Sequence, residues 1–238
     1  MIKGAIVNEI KILRSLIHPH IIKIHAVFES EEFIHLVLDD AYPISFDQYS
    51  EEEISNFTHQ LLNSVVFMHT RGILHRNINL ESIWVVNGID TFKLSNFEFA
   101  TFCNEKSKHT LMCGNLALAA PEMKNRKSYS FELDIYNVGL LVFMILTKNF
   151  YLNQTINLYE KLIDLKLETT EEYETHKKIS YDALEFIIYL THPDPKCRPK
   201  ASEAITHRWI SYKTKFLSLS PGENIKQYKY MYILVRQF

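Results

Sequence analysis

With 238 residues, 47% of them hydrophobic, and a formal net charge of −2, the chain is long enough to bury a real core in one or two packed domains. So balanced a charge gives no reason to invoke nucleic acid or a membrane surface as a partner. Its three cysteines, Cys103, Cys113 and Cys197, show no C-x-x-C spacing. Neither a disulfide framework nor a zinc site is therefore expected, and reduced thiols suit a cytoplasmic protein.

Ile6, Ile10, Leu13 and Ile17 step by four, three and four residues, which marks one face of a helix, and His18-Pro19 ends it. Ile24–Phe28 and Phe33–Leu38 are short apolar runs about the polar turn 29–32, so a β-hairpin is expected. Ser50 and Glu53 form a capping box ahead of Ile54, Phe57, Leu61, Val65 and Met68 at helical spacing. Ile83–Val86 and Thr91–Leu94 flank Asn87-Gly88, a type I′ hairpin signal. Phe131–Lys148 reads as a buried helix. Its longest apolar run, Val138–Leu146, is far short of the ~18 residues of a membrane span. No signal peptide is expected at the start. The stretch 168–174 is acidic and reads as a solvated face. Tyr181–Leu190 is a further helix, stopped by Pro193 and Pro195, and Ser202–Ile210 a last short one. The tail from Ser218, punctuated by Pro221-Gly222, reads as a separate extension, with Tyr230–Val235 as a strand or a docked segment.

Three motifs then define a family. Gly72-Ile73-Leu74-His75-Arg76-Asn77-Ile78-Asn79-Leu80-Glu81-Ser82 resembles the protein kinase catalytic loop H-R-D-x-K-x-x-N. Lys93-Leu94-Ser95-Asn96-Phe97-Glu98 stands at the D-F-G position, and Ala120-Pro121-Glu122 is an intact A-P-E. Asn8–Leu13, His18–Lys23 and Asp194–Pro199 are similar to calcium- and calmodulin-dependent Ser/Thr kinases, including those fused to EF-hands. The resemblance covers roughly residues 5–212. It implies an α+β, protein-kinase-like fold with a mainly helical large lobe over 39–216, a truncated small lobe over 1–38, and a C-terminal extension over 217–238.

The resemblance also locates what has been replaced. Asn77 takes the place of the catalytic Asp, Asn79 of the Lys, Ser82 of the metal-binding Asn and Asn96 of the metal-binding Asp. Glu98 replaces the Gly of D-F-G. No two of the six glycines are close enough for G-x-G-x-x-G. Glu9 matches the helix glutamate that pairs with a small-lobe lysine. Eight residues precede it, too few for the strand expected to bear that lysine, and Lys3 is too close. Glu9 has then lost its partner or the sequence is truncated; as a plain helix residue it reads as a half-exposed carboxylate. Leu38, Asp39, Ala41 and Trp84 would line a vestigial nucleotide slot. Asp39-Asp40-Ala41 is its hinge, Pro43–Tyr49 the shortened helix after it, and Trp84 either a plug or a core side chain.

Other family positions are kept, and these hold shape. They are Glu122 and Arg198 as a buried ion pair, Asp134 and Gly139 of the helix that ties down the catalytic loop, with Tyr136 for Trp, and Leu13, Ile24, His75 and Phe97 as the stack between lobes. Arg76 is retained and would meet a phosphate on Thr101, Ser107 or Thr110 if one were added. Leu116–Ala120 reads as an apolar patch, either a partner surface or a segment folded inward. The resemblance therefore implies a catalytically inactive kinase-like scaffold, binding no cofactor. Its partner would be a protein, an active kinase among the candidates. The competing expectation is an unusual Ser/Thr kinase using ATP and Mg²⁺.

Overall fold

The computed structural model describes residues 2–31, 33–86, 91–104, 106–148, 158–167, 179–211 and 230–236. Helix α1 spans Ile2–Ser15. It buries Ile6, Ile12 and Leu13, while Ile10 is half-buried, and Leu16 just beyond its end is buried too. Ile17, expected on that face, is 78% exposed. The helix has stopped two residues earlier, where the Ser15 hydroxyl donates to Ile12 O at 2.6 Å and Leu16 N to Leu13 O. The phase is lost there, and Leu16 turns inward in place of Ile17.

β1 (Ile24–Glu29) and β2 (Phe33–Asp39) form the expected antiparallel hairpin. β3 (Ala41–Pro43) leaves β2 for a second sheet. No helix follows over 43–49. Pro43 lies within β3, opposite Trp84, and a turn closes with Asp47 N donating to Ser45 Oγ. α2 (Glu51–Thr70) starts at the Ser50–Glu53 capping box, both halves of which are present. It buries the five apolar residues read from its spacing.

β4 (Ile73–Leu74) and β7 (Thr101–Phe102) pair across the loop between them. β5 (Ile83–Val86) and β6 (Phe92–Leu94) pair in the expected hairpin, whose Asn87-Gly88 turn lies outside the described residues, as does the acidic stretch 168–174. α3 (Pro121–Lys124) precedes α4 (Glu132–Thr147), which is buried nearly throughout and runs against α6 (Tyr181–Leu190). A Cβ on Gly139 would come within 2.7 Å of Leu190 Cβ, so only glycine allows that approach. α5 (Leu158–Leu167) packs on α6.

The last helix expected, 202–210, is two: α7 (Ala201–Ala204) and α8 (Arg208–Ser211). His207 breaks it by accepting from Trp209 N with its Nδ1, as a capping side chain does. Glu51 gathers distant chain. Its carboxylate accepts from Ser180 N and Oγ and from Trp209 Nε1, 158 residues away. Finally, β8 (Tyr230–Arg236) is a strand, antiparallel to β2, so the first sheet runs β1-β2-β8. The tail between Ser218 and β8 lies outside the described residues.

Candidate functional site

The loop after β4 is held from beneath by one carboxylate. Asp134, fully buried on α4, accepts from His75 N and Arg76 N at 2.9 Å each and from His69 Nε2 at 3.0 Å. Burial alone would raise its pKa, but the hydrogen bonds from the His69 side chain and from His75 N outweigh that and hold it below the usual carboxylate range. His69 carried no motif signal; its place in the last turn of α2 brings it here.

His75 is buried, and desolvation lowers its pKa, so the ring is neutral. Its Nδ1 accepts from Asn77 N at 3.2 Å and its Nε2 lies 2.9 Å from Ser95 O, which assigns the Nε2–H tautomer. The ring meets fully buried Phe97 edge-on at 4.7 Å. Leu13 is buried in the same cluster, with Ile24 packed on it. Arg76 has φ 68°, and its guanidinium donates from Nε to Phe99 O at 2.6 Å and from Nη1 to Tyr129 Oη at 3.4 Å.

The four replaced positions are joined to one another or to one turn. Asn77 Oδ1 accepts from Asn79 Nδ2 at 2.9 Å and from Asn115 N at 3.1 Å. Asn79 Oδ1 accepts from Ser82 N at 3.1 Å, while Asn79 N donates to Ser82 Oγ at 3.0 Å. Together these cap the short 3₁₀ turn Leu80–Ser82 reciprocally. The Ser82 hydroxyl donates to Asn79 O at 2.7 Å. Asn96, left-handed at φ 60°, donates from Nδ2 to Glu81 O at 3.1 Å. That carbonyl also accepts Trp84 Nε1 at 2.9 Å. Gly114 closes over this group. At φ 75° its Cβ would stand 2.6 Å from Arg76 O and 3.0 Å from Asn77 Oδ1.

Glu9 on α1 is half-buried and its pKa is pushed up to about 7, by desolvation first and by the charge of Glu98 second, against one hydrogen bond from Phe97 N. Glu98 is itself raised by partial burial. Sequence reasoning gave Glu9 no companion; the structure gives it a second acid. Nearby, Leu38 and Ala41 are buried. Asp39 bonds Lys93 Nζ at 2.9 Å and His25 Nε2 at 2.8 Å and accepts from Lys23 N at 3.0 Å. It thereby clasps β6 to the β1–β2 hairpin. Burial opposes its ionisation, yet these bonds hold its pKa low. Trp84 is half-buried on the face of β5 opposite Ile83 and Val85.

Further from the loop, Glu122 and Arg198 form a two-pronged pair at 2.7 and 2.8 Å, with side chains 2% and 0% exposed. Arg198 also donates to Glu132 O and His192 O and lies over the Tyr136 ring at 4.8 Å. Of the segment before α3, Leu116 is 50% exposed while Ala119 and Ala120 are buried, so the expected apolar patch is divided between the two alternatives.

Chemically, the site offers carboxamides and a hydroxyl: those of Asn77, Asn79 and Ser82 bond to one another, and Asn96 is held to Glu81 O. Mg²⁺ beside a nucleotide takes carboxylate oxygen. Ser82 commits its hydroxyl to Asn79, and Asn96 brings an amide, so neither position presents a carboxylate.

A helical body with a buried acid under its loop and a buried Glu–Arg clamp is the architecture of a kinase domain. The protein kinase domain family matches residues 2–210, and the chain belongs to that family. It is 29% identical over 219 residues to calcium/calmodulin-dependent protein kinase type 1 of Caenorhabditis elegans, covering 88% of this chain and 62% of that one. It is 30% identical over 247 residues to a probable myosin light chain kinase of Dictyostelium discoideum, covering 97% and 78%. To the CaM kinase-like vesicle-associated protein of Danio rerio it is 30% identical over 229 residues, covering 88% and 52%. The chain thus spans about three fifths of the length of the worm relative. No helix among the described residues is long and apolar enough to cross a membrane.

Proposed function

We propose that this kinase-family domain transfers no phosphate and acts as a pseudokinase, a binding or allosteric scaffold for a protein partner, with an active kinase as the candidate. The observation that carries the reading is Asn77. A carboxamide does not accept a substrate proton, and its oxygen already holds two donors. General base catalysis alone contributes roughly 10²–10⁴ in rate. Asn79 brings no cation to a transferred phosphate, and Ser82 and Asn96 bring no carboxylate to a metal. Neither ATP nor Mg²⁺ is then required. The reading takes residues 1–38 as a reduced small lobe and 39–216 as the large lobe, and places the protein in the cytoplasm.

The second reading, a Ser/Thr kinase of unusual design, is favoured by the kinase names of its relatives. Transfer of radiolabelled γ-phosphate to a generic Ser/Thr peptide separates the two. No turnover is expected. Turnover that vanishes on Asn77→Ala overturns the scaffold reading. A thermal-shift titration with ATP, with and without Mg²⁺, is expected to show no stabilisation.

A further inference from the structure

β2, Phe-Ile-His-Leu-Val-Leu-Asp, is apolar but for His35 and its last residue, Asp39. Left open, such an edge recruits another strand. One edge is filled by β1, which lies next in the chain. The other is filled by β8, which lies almost two hundred residues away. The pairing is unbroken over seven positions, from Phe33 opposite Arg236 to Asp39 opposite Tyr230. A two-stranded hairpin is marginal by itself, and three strands are the usual minimum for a stable sheet. β8 is therefore the strand that completes this sheet.

Among the described elements, β2 alone shares extensive contact with β8. The packing of α2, α4 and α6 on one another does not involve it. A strand whose extensive contact, among the described elements, is with β2 alone is removable at the cost of one ladder.

We propose that the edge of β2 opposite β1 is a strand-acceptor site whose occupant is Tyr230–Arg236 of this chain, docking as a separable unit, so that the small sheet opens and closes while the helical body stays folded. The recognition is main-chain hydrogen bonding to an apolar, antiparallel, extended segment. The inference does not depend on whether the domain transfers phosphate.

Hydrogen exchange on the full-length protein tests it. The double variant Ile233→Pro, Leu234→Pro removes two consecutive strand N–H groups, one of which must face β2 whatever the phase of the ladder. The β2 amides of residues 34–38 are expected to exchange at least tenfold faster in the variant, with α4 unchanged. A synthetic peptide of residues 229–238 added in trans is expected to restore their protection saturably, and the same peptide with both prolines is not. Wild-type exchange rates in β2 of the variant would overturn the proposal. So would loss of protection in α4 together with β2, since β8 would then be an inseparable part of one unit. Failure of the wild-type peptide to restore protection would overturn it as well.

Discussion

The side-chain amide of Asn79 donates to the side-chain oxygen of Asn77 at 2.9 Å, across the two positions where the family places a base and a cation. Both residues are neutral, so nothing in the contact needs a substrate or a counter-ion to balance it. The members of the loop also cap one another, and that gives the degenerate residues a measurable structural role.

Asn79→Lys restores the family's cation and removes the acceptor for Ser82 N. Loss of such a cap costs about 1 kcal/mol. We expect a lower melting temperature by about 2–4 °C and no gain of phosphotransfer. An unchanged melting temperature would show the reciprocal cap to be without weight.

Glu122→Ala or Arg198→Ala leaves one charge of a closed pair inside the protein. The expected loss is about 3–5 kcal/mol for either variant, read from urea midpoints. A melting temperature within a degree of wild type for both would contradict the burial seen here.

Glu9 makes stability fall with rising pH. Its unfolded pKa is near 4.5 and its folded pKa about 7. The folded state therefore binds the proton more tightly, and the stabilisation is full below about 4.5 and lost as pH rises through 7. A shift of that size corresponds to up to about 3 kcal/mol. Glu9→Gln is expected to flatten the profile and to exceed wild type in stability at pH 8.5. Parallel profiles for the two proteins would show that Glu98 and burial do not act on Glu9.

Gly114→Ala places a Cβ against Arg76 O and Asn77 Oδ1 at a positive φ. The left-handed conformation alone costs about 1–2 kcal/mol for a non-glycine residue. Chemical denaturation is expected to show at least that loss, and exchange at Asn115 N, which donates to Asn77, is expected to quicken.

Much of the fold was legible because its signals are local. The Ser50–Glu53 box, the five apolar residues of α2 and the two hairpins depend on nearby residues alone. The errors fall where a side chain overrides periodicity: Ser15 ends α1 before Ile17, and His207 splits the last helix. Pro43–Tyr49 failed because a helix was carried over from family pattern, whereas Pro43 pairs in β3. At the site, motif letters named Asn77, Asn79, Ser82 and Asn96 but gave no hint that the first three would bond to one another and the fourth to Glu81 O. The Glu9–Glu98 proximity was equally hidden, because 89 residues of chain separate two groups that only the fold brings together. β8 was read as one of two alternatives, since no short-range pattern tells a strand which edge it will meet.

The Glu51 carboxylate fastens the indole of Trp209 and the start of α6 to the first turn of α2. Bringing those ends together requires the intervening chain to be closed into one long loop, whose entropy must be overcome before the contact forms. Contacts of such sequence separation slow folding. In a refolding experiment, the emission of Trp209 should therefore reach its native value after α2 has become protected, making that indole a reporter of a long-range closure rather than of collapse.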